Sequence, residues 1–228
     1  MKRINLFLIA VAMLVAATFS VSTVEANGQL DEILANMQRA ASGIKSIRAD
    51  LHQEKHFKSS IGGKDINNGK LWFKHEGKGS DKVKIEYTRN GATSQVVWVV
   101  GNEIWLWQPP INQVIITTRT SQASKNQEFA FIATPYKSVP ELKSQYNIAL
   151  KGDDGSSAVL ELTPKRQSSV KQLTLWVNKS SWVPTRYQVI EANGDLSTFV
   201  LNNMKLNDAI SGGMFKKGWP RGTKELRR

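Results

Sequence analysis

Cysteine is absent from all 228 residues of the chain, and histidine occurs only three times. The absence of cysteine excludes disulfide bonds, thiol catalysis, cysteine-ligated metal sites and acylation of an N-terminal cysteine. A Gly-x-Ser-x-Gly elbow and a glycine-rich phosphate loop are also missing. The usual sequence signatures of an active site are therefore not present. We expect a protein that is not an enzyme and that holds no cofactor.

Long apolar runs are missing as well, except at the start of the chain. Lys2 and Arg3 precede an apolar stretch from Ile4 to Phe19, and Val24-Glu25-Ala26 has the small residues of a cleavage site. This pattern predicts a secretory signal peptide over residues 1–26, cleaved near Ala26. A transmembrane anchor is the alternative, but the run is short for a bilayer span. We expect a single exported, periplasmic domain over residues 27–228.

Acidic residues are fewer than basic ones, and the formal net charge is +12. A strongly basic protein can bind nucleic acid, but the predicted export argues against that partner. An anionic membrane face or an acidic patch on another envelope protein fits better. The segment from Phe215 to Arg228 alone carries a net charge of +5. We interpret it either as a solvated end or as a docking surface for an acidic partner.

Hydrophobic periodicity divides the chain into one helix and a long series of strands. Leu30, Ile33, Leu34 and Met37 recur at helical spacing, and Gly43 ends that helix. A second short helix is predicted at Asn126–Ala133. Asn67-Asn68-Gly69 is predicted to form a turn before the second strand, and Gly101-Asn102 a hairpin turn. The remaining segments alternate with period two. They predict strands at Ser46–Phe57, Lys70–His75, Lys82–Tyr87, Gln95–Val100, Glu103–Gln108, Val114–Thr118, Gln145–Lys151, Ala158–Leu162, Lys171–Val177, Thr185–Glu191 and Leu196–Asn203.

Ten or eleven sequential strands with short connections predict one large antiparallel sheet. A sheet of this size curls, and its apolar face must be covered. The predicted fold class is therefore mainly β with a few helices. We expect a single curved antiparallel sheet that forms an open half barrel and is closed by helices over an apolar cavity.

Two of the predicted strands are apolar on both faces. They are Val96–Val100 and Ile104–Trp107, and the chain has seven tryptophans, most of them on predicted strands. One face packs against the interior of the sheet, whereas the other requires a helix, a ligand or a partner. Wide antiparallel barrels enclose apolar ligand cavities, but an ordinary packed core gives the same pattern.

Two of the three histidines have the spacing of a helical zinc pair. They are His52 and His56, but the glutamate between them is one position too late for the zinc-protease motif. The surrounding period is that of a strand, which places both on one polar face. We therefore predict a solvated strand face and no metal site.

Several segments, in their order along the chain, resemble one family. They are Ile44–Gln53, Gly69–Lys74, Gly101–Pro109, the pair Leu160–Lys165 and Val170–Val177, and the turn Glu191–Asp195. This series resembles LolA, the periplasmic carrier of outer-membrane lipoproteins. The resemblance implies an open barrel whose cavity takes lipoprotein acyl chains. It also implies two partners, an inner-membrane ABC transporter and an outer-membrane receptor, and a monomeric carrier.

The resemblance also implies site residues. The expected acyl-chain cavity is lined by Leu71, Phe73, Val83, Ile85, Tyr87, Trp98, Leu106, Phe129 and Ile132, the last two from a lid at Gln127–Ala133. His75 stands where the family has an arginine that latches the lid. We name His75 as the latch, and the alternatives are that the latch is lost or is rebuilt from other residues. A lipid- or protein-sensing envelope module on the same scaffold is the alternative function. The cargo is open between lipoproteins in general, one specialised lipoprotein and another lipid.

Overall fold

The structure, a computed structural model, describes residues 21–59, 63–77, 81–118 and 139–228, with side chains from residue 28 onward. The helix predicted at Asn126–Ala133 lies outside these residues, and so do the predicted lid residues Phe129 and Ile132. Most of the predicted signal peptide also lies outside them.

The described part contains two helices, two short 3-10 turns and twelve strands. The helices are α1 (Val21–Gly43) and α2 (Val139–Gln145), and the 3-10 turns are Pro109–Ile111 and Gly212–Phe215. The strands are β1 (Ser46–His56), β2 (Lys64–Lys74), β3 (Lys82–Arg89), β4 (Ala92–Val100), β5 (Glu103–Gln108), β6 (Gln113–Thr118), β7 (Tyr146–Asp153), β8 (Ser157–Pro164), β9 (Val170–Asn178), β10 (Val183–Glu191), β11 (Leu196–Leu206) and β12 (Lys224–Arg227).

All twelve strands belong to one sheet, in the order β12-β6-β5-β4-β3-β2-β1-β11-β10-β9-β8-β7. Strands β12 and β7 form its two edges, so the sheet is not closed. The predicted class, mainly β with a single large open sheet, is confirmed. The sheet is antiparallel except at one edge, where β12 runs parallel to β6. This added strand was missed because the basic tail was interpreted as a solvated end or a docking surface.

The sheet consists of two meanders joined side by side. Strands β1–β6 form the first and β7–β11 the second, and β1 pairs with β11 from Ile47 opposite Leu206 to His56 opposite Leu196. Tight turns connect neighbouring strands as predicted. At Glu191–Asp195, for example, the Glu191 N–H donates to the Asp195 carbonyl oxygen at 2.9 Å, and Gly194 adopts φ +90°. The left-handed conformation explains the glycine there.

One predicted turn is wrong. Asn67-Asn68-Gly69 was expected to separate two elements, but β2 runs through all three residues. A Cβ at Gly69 would lie 2.2 Å from the Glu86 carbonyl oxygen on β3. The glycine therefore permits a close approach of two strand backbones, which is a second role of glycine in sheets.

The two faces of the sheet have different covers, and we call them inner and outer. The inner face packs against Ile33, Leu34 and Met37 of α1 and Val139 and Leu142 of α2, all in one buried cluster with the sheet. Helix α1 contacts β7, β10 and α2. The outer face of β3–β5 is covered by the C-terminal segment, residues 211–219, in which Met214 and Trp219 contact Trp98 and Trp105. The two covers explain how strands that are apolar on both faces, such as Val96–Val100 and Ile104–Trp107, are shielded from water on each side.

Candidate functional site

Seven of the nine residues predicted to line a cavity are described, and six share the inner face. Leu71 lies opposite Ile85, Ile85 opposite Val97, and Val97 opposite Leu106. A parallel row contains Phe73, Val83, Val99 and Ile104, and Tyr87 follows Ile85 on β3 with the same orientation. Leu71, Val83 and Ile85 are fully buried, whereas Leu106 is half-buried. The structure thus assembles a continuous apolar strip, whose contact with acyl chains stays a prediction.

Trp98 does not belong to this strip. It lies opposite Lys84 and Trp105, on the outer face, and is 3% exposed. Its Nε1 donates to the Met214 carbonyl oxygen at 3.2 Å. Successive strand residues face opposite sides, so Val97 and Trp98 cannot share a face. Because β4 is buried on both faces, the hydrophobic pattern alone did not tell whether Val97 or Trp98 points to the inner side of the sheet.

The inner face changes from apolar to polar along the strands. Beyond Leu51 and Tyr87, the inward residues are Gln53 and Lys55 on β1, Asn67 and Asp65 on β2, and Arg89 on β3. These side chains line an open cleft of about 490 Å³, and Tyr87 and Gln95 lie at its border with the apolar strip. An amphipathic ligand would meet aliphatic side chains at one end of this face and polar ones at the other.

The polar end is held by ion pairs. Lys55 Nζ lies 2.7 Å from Glu191 Oε1, and Arg89 contacts Asp65 at 2.5 Å. The first pair is largely buried and joins the β1 end to the β10–β11 turn. The first pair thus connects β1 to β10, and the second connects β3 to β2 at this end of the sheet.

His75, the predicted latch, follows the end of β2. Its Nδ1 lies 2.6 Å from Asp81 Oδ1, its side chain is about half exposed, and its N–H donates to the Lys45 carbonyl oxygen at 2.8 Å. Next to it, Glu76 pairs with Lys82 and Lys74. Their hydrogen bonds hold the pKa of Glu76 below its usual value of 4.5. The residues of the lid lie outside the described ranges, so the latch role stays a prediction.

Each of the two histidines of β1 contacts a side chain of the sheet, one on the neighbouring strand β2 and one on β1 itself. His52 Nδ1 lies 2.8 Å from Asn68 Oδ1, and His56 Nε2 lies 2.5 Å from Glu54 Oε1. Lys64 and His56 lower the pKa of Glu54 through hydrogen bonds. In the parts of the chain that the structure describes, no three His, Asp or Glu side chains are grouped so that they could hold a metal ion. None of the described helices is long and apolar enough to cross a bilayer.

The C-terminal segment has a structural role that the sequence analysis did not predict. Phe215 is 3% exposed, and Trp219 packs edge-on against Trp98 and Trp105 with ring centroids 5.9 and 5.6 Å away. Strand β12 extends the sheet beside β6. The signal was present, since Phe215 and Trp219 are large apolar side chains within an otherwise basic tail. The segment is thus a cover for the outer face.

A family model for the outer membrane lipoprotein carrier protein LolA matches residues 42–217 of the chain. The chain belongs to the LolA family. The match includes all strands of the sheet except β12, and it contains the whole apolar strip. A search of curated proteins returned no significant match.

Several solved structures resemble the chain in fold at low sequence identity. A DUF1329 family protein from Desulfovibrio piger is 15% identical, with 84% of this chain and 97% of that chain covered and a TM-score of 0.53. An uncharacterized conserved protein from Thermus thermophilus is 13% identical, with coverages of 88% and 99% and a TM-score of 0.54. MucB is 16% identical, with coverages of 84% and 63% and a TM-score of 0.52. At such identities these likenesses concern the fold alone.

Proposed function

We propose that the chain is a periplasmic carrier that binds lipoprotein acyl chains on the inner face of its sheet and moves them from the inner to the outer membrane. One observation carries the proposal: the continuous apolar strip on an unclosed sheet lies wholly within residues matched by the carrier family model. The signal peptide, cleaved near Ala26, would deliver the monomeric chain to the periplasm.

The need for such a carrier follows from the hydrophobic effect. Transfer of one methylene out of water is worth about 0.8 kcal/mol, so three acyl chains cost tens of kcal/mol in free solution, on the order of 30 kcal/mol. An aliphatic strip offsets most of this cost without directional bonds. Since the cargo must also leave again, its affinity for the strip has to remain limited.

Cargo entry requires a change in what covers the strip. Ile33, Leu34 and Met37 of α1 occupy the core together with the strip residues. In the loaded state, we infer, acyl chains replace part of this helix contact and the helices act as a movable cover with the lid at Gln127–Ala133. Ile104 and Leu106 on β5 are half-buried, and we propose that the cargo enters from this side of the strip.

The proposed gate includes His75. An imidazole can donate hydrogen bonds to a lid, and it does so more strongly when protonated. Its present partner is Asp81, so latching would exchange one acceptor for another. The proposed donor and acceptor of the cargo are the inner-membrane ABC transporter and the outer-membrane receptor that the family uses.

The decisive experiment is purification of the protein from an envelope extract, followed by mass spectrometry of bound lipid and lipoprotein. The wild type is compared with Leu106→Asp, which places a charge on the half-buried part of the strip. Ile66→Asp is the matched control, because Ile66 lies on the outer side of β2, opposite Glu54, and is 45% exposed. We expect triacylated lipoprotein with the wild type and the control, and its loss with Leu106→Asp.

The other outcomes distinguish a different cargo from a different function. A bound lipid of another class keeps the binding face and changes the cargo. A protein that copurifies without lipid, and that still binds the Leu106→Asp variant, supports the sensing module instead. Loss of cargo from both variants contradicts a role specific to the inner face.

A further inference from the structure

The polar end of the inner face forms a cleft that acyl chains alone would leave empty. We call it the polar cleft, and its volume is about 490 Å³. It begins at Tyr87 and Gln95, which lie opposite each other at the end of the apolar strip, and it reaches across β2 to Gln53 on β1. Whatever occupies the polar cleft can therefore be continuous with a chain that lies on the strip.

The charged groups of the polar cleft already have partners. Arg89 contacts Asp65 at 2.5 Å, and Lys55 contacts Glu191 at 2.7 Å. The described lining contains no further charged side chain. An ionic ligand would have to break one of these pairs, whereas an uncharged polar ligand would not.

Gln53 lies in this lining with an unsatisfied amide. The residue is 8% exposed, and its side chain has no hydrogen-bond partner among the described residues. In the described part of the chain, the one unpaired side-chain atom that is sealed from solvent is Trp107 Nε1, on the outer face. The Gln53 amide is thus not sealed, and it opens into the polar cleft. Since buried amides normally have partners, this one points to a ligand.

Two further amides in the same lining, those of Gln95 and Asn90, also lack a partner within the described ranges. Each side-chain amide places N–H donors beside a carbonyl acceptor. Two strands separate Gln53 on β1 from Gln95 on β4, which sets them about 14 Å apart at about 4.8 Å per strand. An extended peptide of about four residues has this length, and each of its units carries the matching N–H and C=O groups.

We propose that the polar cleft holds the peptide backbone that follows the acylated end of the cargo, with Gln53 and Gln95 as its hydrogen-bonding groups. This inference rests on the proposed carrier function, which puts the acyl chains on the neighbouring strip. A sugar fits less well, because the one aromatic side chain of the described lining, Tyr87, is 4% exposed and offers no ring face for stacking. Contacts to the backbone do not depend on side chains, so lipoproteins of different sequence would bind alike.

A peptide without acyl chains tests the polar cleft by itself. The purified protein, labelled with nitrogen-15, is titrated with the amide of N-acetyl-Gly-Ser-Gly-Ser, and Gln53→Leu identifies the Gln53 NH₂ signals by their loss. We expect the Gln53 and Gln95 signals to shift saturably at millimolar peptide, because a few uncharged hydrogen bonds give little net affinity. The NH₂ signals of Gln188 should not move, since this residue lies on the outer side of β10 and donates to Thr198.

Two acylated probes connect the polar cleft to the cargo. One is tripalmitoylated cysteine amide, and the other carries a Gly-Ser-Gly-Ser tail after the same cysteine. Displacement of a fluorescent fatty acid measures both affinities. We expect the wild type to bind the tailed probe about tenfold more tightly, and Gln53→Leu to reduce this ratio about three- to tenfold through loss of its hydrogen bonds. Gln188→Leu is the matched control and should leave the ratio at its wild-type value.

A stability measurement separates binding from a structural role. Because the Gln53 amide has no partner among the described residues, Gln53→Leu should keep or raise the melting temperature. A clear fall would assign the amide to the fold and overturn the proposal. Gln95→Leu, at a half-buried position, tests the affinity ratio independently and should reduce it about threefold.

The failure of the polar cleft and the failure of the carrier function give different results. Equal affinity for the two acylated probes, with no shift from the free peptide, overturns the polar cleft and leaves the carrier function in place. A response to the free peptide without binding of either acylated probe supports the polar cleft and overturns the carrier function. If methyl glucoside moves the Gln53 signals and the peptide does not, the occupant is a sugar and the proposal is wrong.

Discussion

The inner and outer faces of β2–β5 are both buried, but by side chains of different chemistry. The inner strip is aliphatic apart from Phe73 and Tyr87, and the helix residues in the same buried cluster, Ile33, Leu34, Met37, Val139 and Leu142, carry no ring. The outer face carries Trp72, Trp98, Trp105 and Trp107, with Lys84 over two of the rings. Three indoles around this patch hold fixed acceptors on the chain, and Trp219 meets two rings edge-on.

This difference separates a permanent cover from an exchangeable one. Hydrogen bonds and edge-on ring contacts are directional, so the C-terminal segment fits the outer face in one way. Aliphatic contacts are not directional, and an acyl chain can replace a helix side chain at similar cost. A face that must exchange its cover is therefore expected to be aliphatic, and a face that must keep it is expected to be aromatic and polar.

The largest expected effect is on the outer face. Trp98→Ala should lower the free energy of unfolding by about 3–5 kcal/mol, because it removes a buried ring and leaves a cavity under the tail. Leu106→Ala, at a half-buried inner position, should cost about 1–2 kcal/mol. Urea unfolding measures both, and Trp98→Phe is the control for retained packing. A cost below about 1 kcal/mol for Trp98→Ala would mean that the tail covers this face only loosely.

A smaller effect is expected at Trp219. Trp219→Ala should cost about 2 kcal/mol, since the ring is only half-buried but contacts two others. It should also accelerate tryptic cleavage at Arg221 and Lys224, because β12 loses its anchor. Arg221→Gln is exposed and should leave the unfolding free energy unchanged. Equal cleavage rates in wild type and Trp219→Ala would show that β12 holds without the ring.

His75 should affect stability less still. The His75–Asp81 pair is about half exposed, so His75→Gln should change the unfolding free energy by less than about 1 kcal/mol. If His75 is the latch, the same substitution should change the rate of cargo release from the inner face. Asp81→Asn is the companion variant, since it removes the present partner and keeps the imidazole. A stability loss well above 1 kcal/mol would assign His75 a structural role instead.

The smallest effect concerns acid pH at the tail. Hydrogen bonds from Lys217 and Trp219 hold the pKa of Glu225 below its usual value of 4.5. The contribution of this carboxylate to stability is therefore present above pH 4.5 and is lost as the pH falls below it. Tail protection against an acid protease should decrease as the pH falls below 4.5. Glu225→Gln should lose this pH dependence while inner-face binding is unaffected.

Much of the fold could be predicted from local signals. Strand alternation, the Gly101-Asn102 hairpin and the Glu191–Asp195 turn each depend on residues close in sequence, and the structure confirms them. The Gly69 turn was wrong because glycine marks both turns and close backbone approaches, and only the partner strand tells which. The strand β12 was missed because four residues beside many charges give no periodicity.

The residues of the candidate site could be predicted only where alternation along a strand tells on which face of the sheet a side chain lies. Val83 and Ile85 alternate with charged residues, so their common face follows from sequence. Leu71 and Phe73 flank Trp72, so alternation places these two on one face without telling which face it is. Trp98 lies in a strand without such alternation, and its side could be assigned only from what covers each face. The orphan Trp107 donor has no sequence signal, because hydrogen-bond satisfaction is decided by distant segments.

The position of β12 has a consequence for the life of the chain before it is folded. The strand follows all the other strands of the sheet in the chain, yet it and the segment before it protect an edge and an aromatic patch that β3–β6 form much earlier in the chain. Until it arrives, β6 has an unpaired edge and the outer tryptophans face water, which are the features that invite aggregation and proteolysis. A chain cut short before Trp219 would thus leave both features exposed, and the tail shields them once it has folded back onto the sheet.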